Sequence, residues 1–531
     1  MYPRSDRTLQ ADALFASALQ RGDEMSVRKI RRAVAAPVAN SVSNTTTGSL
    51  TMAARAAYIL RDNSTGLITK AAPALYPHQW SWDAAFNAIG LATVDLPRAR
   101  LELDSLFAGQ WHNGMVPHIV FDPAADGYWP GPAQWQCARF NEDAPSFPAT
   151  SGICDPPVHA IAVERILAVA ATAGGRELEL TRGWAARLYP KLLAWHRYLA
   201  RDRVDKSTGL ITLFHGWESG TDNSPRWDVP YSNVTVGPDL PAYVRRDKTH
   251  VSDACQRPTD AEYDRYLWLI EEAKGSGYDA ATLRESGSFQ VGDVLSTAIF
   301  AAACDVLAEF ATQLRKPDDA AELRDLAVQA QAAVLGHVDE ASGLAADVDL
   351  RTGTWLRTET VAGFAPLIAG GMPAYLRQRQ ISMLTGPRWA GHPGLRWALP
   401  PSTSPCSPAF DPQCYWRGPV WPVFTWLLTW ALRRDGEVPV AAALQSASLE
   451  QLGDGTFAEY YHPLTGAPLG SLNQSWTAAV ALDWLFDEKN LADPPVRGRG
   501  QVRGHGCGAA RHRRTARGGR RAAGSGRRPG T

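Results

Sequence analysis

The sequence has no run of eighteen apolar residues and no basic segment leading into a short apolar one at its start. That argues against a membrane-spanning helix and a secretory signal, and makes the cytoplasm the expected compartment. Cysteine is sparse: Cys137, Cys154, Cys255, Cys304, Cys406, Cys414 and Cys507 are odd in number and show no CxxC spacing, so neither a disulfide framework nor a zinc cluster is expected. Alternating strand-like runs are nearly missing, and so is any repeat of fixed period. Acids are missing from residues 497–531, which hold eleven arginines. The rest of the chain then carries 43 Lys and Arg against 54 Asp and Glu, so a formal charge of zero hides an acidic body.

Both ends read as appendages. Residues 491–531 form an Arg/Gly-rich, low-complexity tail expected to be disordered; it lacks the aromatics that stack on bases, and no nucleic-acid partner is expected. Residues 1–47, with the basic run Arg28 to Arg32 and a Ser/Asn/Thr-rich linker, read as a poorly ordered extension.

Between them the pattern is helical. Apolar residues recur at three- and four-residue spacing over 50–62, 83–93, 97–110, 157–173, 181–203, 260–275, 291–314, 317–337, 359–370, 373–384, 419–434, 438–451 and 475–486. So many helices without a strand-rich block predict an all-α toroid of helix pairs in two concentric layers, with an α-solenoid as the rival. Three segments, 111–156, 214–259 and 386–418, are long and rich in Pro, Gly and Trp, and loops of that length bind or cover something. Tryptophan, at 19 residues, is in excess, and many indoles fall in these loops, where the apolar face of a sugar ring is a suitable partner.

The most informative stretch is Gly216 to Asp228, which packs acids, an arginine and two tryptophans around Asn223-Ser224-Pro225 turn chemistry. Asp222 between Trp217 and Trp227 suits a proton donor whose pKa is raised by excluded water; it also suits a helix cap or, with Asp228, a cation site. A second acid-bearing loop runs from Gly455 to Pro463 and holds Glu459, which alone could be an ordinary solvated glutamate. Together the two meet the needs of sugar hydrolysis, one protonated carboxyl for the leaving oxygen and one ionised carboxylate for water or carbon. Tyr76, Trp80 and Trp82 around Asp83 read as a sugar platform, though Asp83 could equally cap the helix that follows, and Trp421 could equally be core.

Taken in order, the segments YPHQWSWDAAF (76–86), SGTDNSPRWD (219–228), YWRGPVWP (415–422), FAEYYHPLTG (457–466) and SWTAAVALDWL (475–485) resemble glycoside hydrolase family 63, which contains processing α-glucosidase and small mannosylglycerate and glucosylglycerate hydrolases. The resemblance covers roughly 48–487 and makes 48–490 the expected catalytic domain. It implies an (α/α)6 barrel, an inverting mechanism, and hydrolysis of glucosylglycerate, with mannosylglycerate as a further substrate, to sugar and glycerate. Carried over by motif, Asp222 is similar to the general acid and Glu459 to the general base. Tyr76, Trp80, Trp82, Asp83, Trp217, Trp416, Trp421 and Gln474 match positions lining the sugar subsite. Arg257 and Tyr263, with Tyr128 and Tyr415, match those that hold the glycerate carboxylate; by itself Arg257 reads as a structural ion-pair residue.

One position departs. Where Gln-Pro-Pro is expected, the chain has Asp155-Pro156-Pro157, a carboxyl in place of an amide beside a sugar hydroxyl. The expected partner is a small glycoside with a carboxylate aglycone, with no metal, cofactor, nucleic acid or membrane, and self-association left open. A trehalase-like or other α-glucosidase is the rival enzyme, and a sugar-binding protein the rival outside enzymes.

Overall fold

The computed structural model describes residues 52–492 apart from 74, 126, 127, 246, 250 and 252. The expected N-terminal extension and, from residue 493, the expected tail lie outside the described residues. The compact unit that ends at Glu488 holds everything described except the last residues of the final helix.

The fold is predominantly helical, and its helices follow the apolar periodicity of the sequence. The first half supplies α1 (Met52–Asp62), α2 (Ser81–Ala92), α3 (Leu96–Phe107), α4 (His159–Ala173), α5 (Gly175–Tyr198) and α6 (Asp260–Gly275). The second half supplies α7 (Val294–Gln313), α8 (Pro317–Gly336), α9 (Ala365–Ala369), α10 (Ala374–Leu384), α11 (Pro422–Arg434), α12 (Val438–Gln451) and α13 (Ser475–Ala492). They alternate in character. Helix α2 buries every residue and α11 all but its last two, so both are surrounded by protein. Helix α8, between them in sequence, buries only Ala320, Leu323, Ala327, Ala330 and Val334, a single stripe at three- and four-residue spacing.

Packing follows that division. Helix α2 lies against α3 and α4, α4 against α5 and α7, α7 against α8 and α9, and α9 against α11, which is covered by α12. Helices α2 and α13 meet backbone to backbone: a Cβ on Gly90 would come within 2.3 Å of Cα of Ala479, so no larger residue fits there. Helix α7 is long and apolar enough to cross a membrane, yet 89% of its most apolar window is buried inside the chain, which makes it a core helix here.

The structure adds strands that periodicity does not reveal. Strands β1 (Gln79–Trp80) and β2 (Ile119–Val120) pair antiparallel, as do β7 (Tyr460–Tyr461) and β8 (Pro468–Leu469). Strands β3 (Ile211–Leu213), β4 (Val291–Asp293), β5 (Asp347–Asp349) and β6 (Thr354–Leu356) form an antiparallel sheet in that order. Two or three residues are too few to show an alternation, and 291–293 was absorbed into an expected helix over 291–314. The six described cysteines are all free thiols.

Candidate active site

Helices α2 and α13 begin at one cavity, and the segments leading into α4 and α11 also line it. Trp80 precedes α2 and Asp83 lies in its first turn; Asp155 stands just ahead of α4, Trp416 ahead of α11 and Gln474 ahead of α13. The cavity measures about 350 Å³. Asp222 and Glu459 both open into it, with Tyr76, Trp80, Trp82, Asp83, Tyr128, Asp155, Trp217, Arg257, Tyr263, Tyr415, Trp416 and Gln474 in its wall.

Trp421 is the exception among the expected lining residues. It stands one layer behind, stacked on Trp416 with ring centroids 3.9 Å apart, so the core alternative describes its position. Its indole N–H donates to the Tyr415 carbonyl at 3.2 Å.

The acid loop is held by its own short-range bonds. Ser224 leads into a 3-10 turn at Pro225–Trp227 and makes no side-chain cap, and Asp222 caps nothing, so the helix-cap alternative does not hold. Arg226 anchors the loop from below: it donates to Thr221 Oγ1 at 2.9 Å and to Asp347 Oδ2 at 2.7 Å, and lies 3.2 Å from Asp293 Oδ2. Glu218, one residue past Trp217, pairs with Arg203 at 2.6 Å and accepts from the Cys154 backbone N–H at 3.2 Å, tying the acid loop to the segment that presents Asp155. Asp222 itself is half-buried, and burial pushes its carboxyl up to about 7, with Arg257 opposing and Glu459 adding to the rise. At neutral pH a substantial fraction of this carboxyl carries a proton it can give.

Glu459 is different in kind. It sits at the start of β7, is 1% exposed and is gripped by donors, so it is no solvated surface glutamate. Oε2 accepts from the Ser471 N–H at 2.9 Å, from Ser471 Oγ at 3.1 Å and from Arg257 Nη2 at 3.2 Å, while Oε1 accepts from the Tyr76 hydroxyl at 3.0 Å. Gly470, at φ +70°, leaves room for this: a Cβ there would fall 2.5 Å from Oε2. Arg257 also donates to Tyr76 at 2.9 Å and lies over the Tyr415 ring, so it does form the ion pair expected of a structural arginine, with Glu459 as its partner.

Asp83 is the third residue of α2 rather than its cap, and burial, reinforced by Glu459, raises its carboxyl well above the usual range. Asp155 is raised likewise, chiefly by burial, while the Trp82 N–H it accepts at 3.2 Å opposes the rise. Aromatic rings close the wall. Trp80 meets Tyr76 and Tyr128 edge-on at 5.1 and 5.3 Å, and Trp82 meets Trp476 at 5.7 Å.

Sequence reasoning missed Trp129, Trp476, His118, Tyr266 and Asp247 as lining residues. Trp129 and Trp476 adjoin expected site residues and could have been taken with them; Asp247 sits in a loop with no local signal. Among the described residues no group of three or more His, Cys, Asp or Glu is placed to hold a metal ion, and Asp228 is paired with Arg417 at 2.7 Å.

A cavity walled by aromatic faces, with one carboxyl kept partly protonated and another fixed by hydrogen bonds, is the arrangement of a glycoside hydrolase. Residues 76–477 match the mannosylglycerate hydrolase MGH1-like glycoside hydrolase domain, and the chain belongs to that family. It is 52% identical to the glucosylglycerate hydrolase of Mycolicibacterium hassiacum over 82% of this chain and 97% of that protein. The crystal structure of the family 63 mannosylglycerate hydrolase of Thermus thermophilus with Tris and D-glycerate superposes with a TM-score of 0.73 at 39% identity, covering 82% of this chain and all of that one. The structure of the same enzyme with glucose gives 0.71 at 38%, with the same coverage.

Proposed function

We propose that this chain hydrolyses glucosylglycerate, and mannosylglycerate in addition, to sugar and glycerate with inversion at the anomeric carbon. The observation that carries the reading is the pairing of Asp222 and Glu459 in one aromatic-walled cavity whose described lining includes an arginine, Arg257. A water lying on Glu459 gives it a proton and attacks the anomeric carbon. The bond from that carbon to the glycerate oxygen breaks as Asp222 delivers its proton to the oxygen. Inversion calls for two carboxyls roughly 6.5–9.5 Å apart, leaving space for the water. Tyr76, Trp80, Trp82, Asp83, Asp155, Trp217, Trp416 and Gln474 bind the sugar in this reading, and Tyr128, Arg257, Tyr263 and Tyr415 the aglycone.

The same reading takes the alternation of buried and one-faced helices as the two layers of an (α/α)6 barrel. It involves no metal or cofactor, so chelators leave the rate unchanged, and the free thiols suit the cytoplasm as its compartment.

The test is turnover of glucosylglycerate, mannosylglycerate, trehalose and maltose, with the anomer of the released sugar followed by NMR. Glucosylglycerate turning over fastest with a β-sugar as first product is the expected result. Faster hydrolysis of trehalose makes the chain a trehalase-like enzyme instead, and sugar binding without turnover makes it a binding protein.

A further inference from the structure

The cavity is lopsided in charge. Among the described residues, Asp83, Asp155, Asp222, Asp247 and Glu459 line it with one guanidinium, that of Arg257, while Asp247 is paired at 2.7 Å with Arg245 outside the lining. His118 adds no cation, because burial, with His215 nearby, pushes its imidazole down to about 3. Among the described lining residues Arg257 is the cation that an anionic aglycone meets, and it is already committed to Glu459 and Tyr76. The two demands compete for one side chain.

We propose that the substrate's own carboxylate releases the general base: on binding, it draws the Arg257 guanidinium away from Glu459, so that aglycone recognition switches on the group that activates water. The inference rests on the glycosyl-glycerate reading given above. In the resting pair Arg257 Nη2 holds a position on Glu459 Oε2, at 3.2 Å, that a water handed to this carboxylate would need, so the base is restrained by occupancy. Removing the restraint only where an anion has bound ties the rate to the presence of the correct aglycone, which is binding energy expressed in the transition state.

The surroundings suit a switch of this kind. When Arg257 turns away, Glu459 keeps the Ser471 N–H on one oxygen and the Tyr76 hydroxyl on the other, so two hydrogen bonds still aim it. Beyond Glu459, Arg257 is held by one further hydrogen bond, to the Tyr76 hydroxyl at 2.9 Å. Its Nε has no hydrogen-bond partner, and its guanidinium carbon lies 4.9 Å from the centre of the Tyr415 ring and 5.8 Å from that of Tyr76, faces that still support a planar cation as it shifts. The chemistry needs no further reactant. The water proton passes to Glu459, the water oxygen bonds to the anomeric carbon, and the leaving oxygen takes the Asp222 proton.

The decisive substrate is α-D-glucosyl fluoride, whose small leaving group needs no protonation and leaves the aglycone side open. Its hydrolysis is followed at saturation with and without D-glycerate or the 2-deoxy analogue 3-hydroxypropanoate. A carboxylate is expected to raise the rate about tenfold, within the range of roughly 5–150-fold found for coupled sites, and Arg257→Gln is expected to abolish the response. Glucosylglycerol, the same glycoside with an alcohol in place of the carboxylate, is expected to lose kcat as well as raise KM. If Arg257→Gln does not fold, the carboxylate response of the native enzyme and its kcat on glucosylglycerol decide the matter. Fluoride turnover that is unchanged or slowed by carboxylate, in a protein that hydrolyses glucosylglycerate, overturns the inference and leaves the functional reading standing. So does equal activation of Arg257→Gln. Failure to hydrolyse glucosylglycerate overturns the reading beneath it.

Discussion

Trp416 and Trp421 lie ring on ring, 3.9 Å apart and within 4° of parallel, but only Trp416 faces the cavity. Behind Trp421, Tyr460 continues the stack at 4.5 Å, so the wall against which a sugar would rest is three aromatic rings deep. Rigidity of that wall comes from residues the sugar never touches.

Trp421→Ala is therefore expected to weaken the fold itself. It costs about 3–5 kcal/mol of stability, as loss of a fully buried indole does, read by denaturant unfolding. Trp421→Phe, which keeps a ring in the stack, is expected to lose less stability and to raise KM while lowering kcat by a smaller factor, read by steady-state kinetics.

With Asp222 as the proposed acid, its carboxyl, pushed up to about 7, is expected to set an alkaline limit on catalysis. With glucosylglycerate, kcat is expected to fall above about pH 7 as the proton is lost, whereas α-D-glucosyl fluoride shows no such limb. Asp222→Asn is expected to lose roughly 10²–10⁴-fold on the glycoside and little on the fluoride. Stability follows the same titration: a carboxyl raised on folding contributes most below its ordinary value of 3.8, and that contribution is lost as pH rises through about 7. Asp222→Asn thus melts higher than the native protein at pH 8 and alongside it at pH 4.

Beneath the acid loop, Arg226 satisfies Asp347 and Asp293 in a fully buried cluster. Arg226→Ala leaves two buried carboxyls without their cation and is expected to cost about 3–5 kcal/mol, measured by chemical denaturation. Arg226→Lys keeps the charge but loses the link to Thr221, and is expected to lower kcat more than it lowers stability, since Asp222 is the next residue along.

In the proposed reading Asp155, which lines the cavity, puts a titratable group beside a sugar hydroxyl. Its protonated form donates a hydrogen bond and its ionised form does not. The ratio of kcat/KM for glucosylglycerate to that for mannosylglycerate is therefore expected to vary with pH in the native enzyme. In Asp155→Gln it is expected to be flat and displaced by about tenfold, the scale of one hydrogen bond gained or lost in a buried site.

What the sequence disclosed, and what it did not, follows from range. Helices such as α8 declare themselves through spacing within a few turns, and the acid loop through turn residues set among tryptophans. Strands of two or three residues leave no period to detect, and Arg226 with Asp347, or Arg257 with Glu459, are partners only once the chain has folded. Glu459 shows why a lone acid is ambiguous: nothing local distinguishes it from a solvated glutamate, and Ser471 with Tyr76 makes the difference. The roles carried over by motif gain a common location here, apart from Trp421.

The starts of α2 and α13, which bring Trp82, Asp83, Gln474 and Trp476 to the cavity, have an electrostatic consequence. Each of these two helices presents there the end at which its peptide dipoles sum to about half a positive charge. Five carboxyls and one arginine would otherwise be an unstable company, and this pair of partial charges offsets what single cations do not supply. Because the offset is built into the backbone, it persists when Arg257 is engaged elsewhere, and no side-chain substitution removes it.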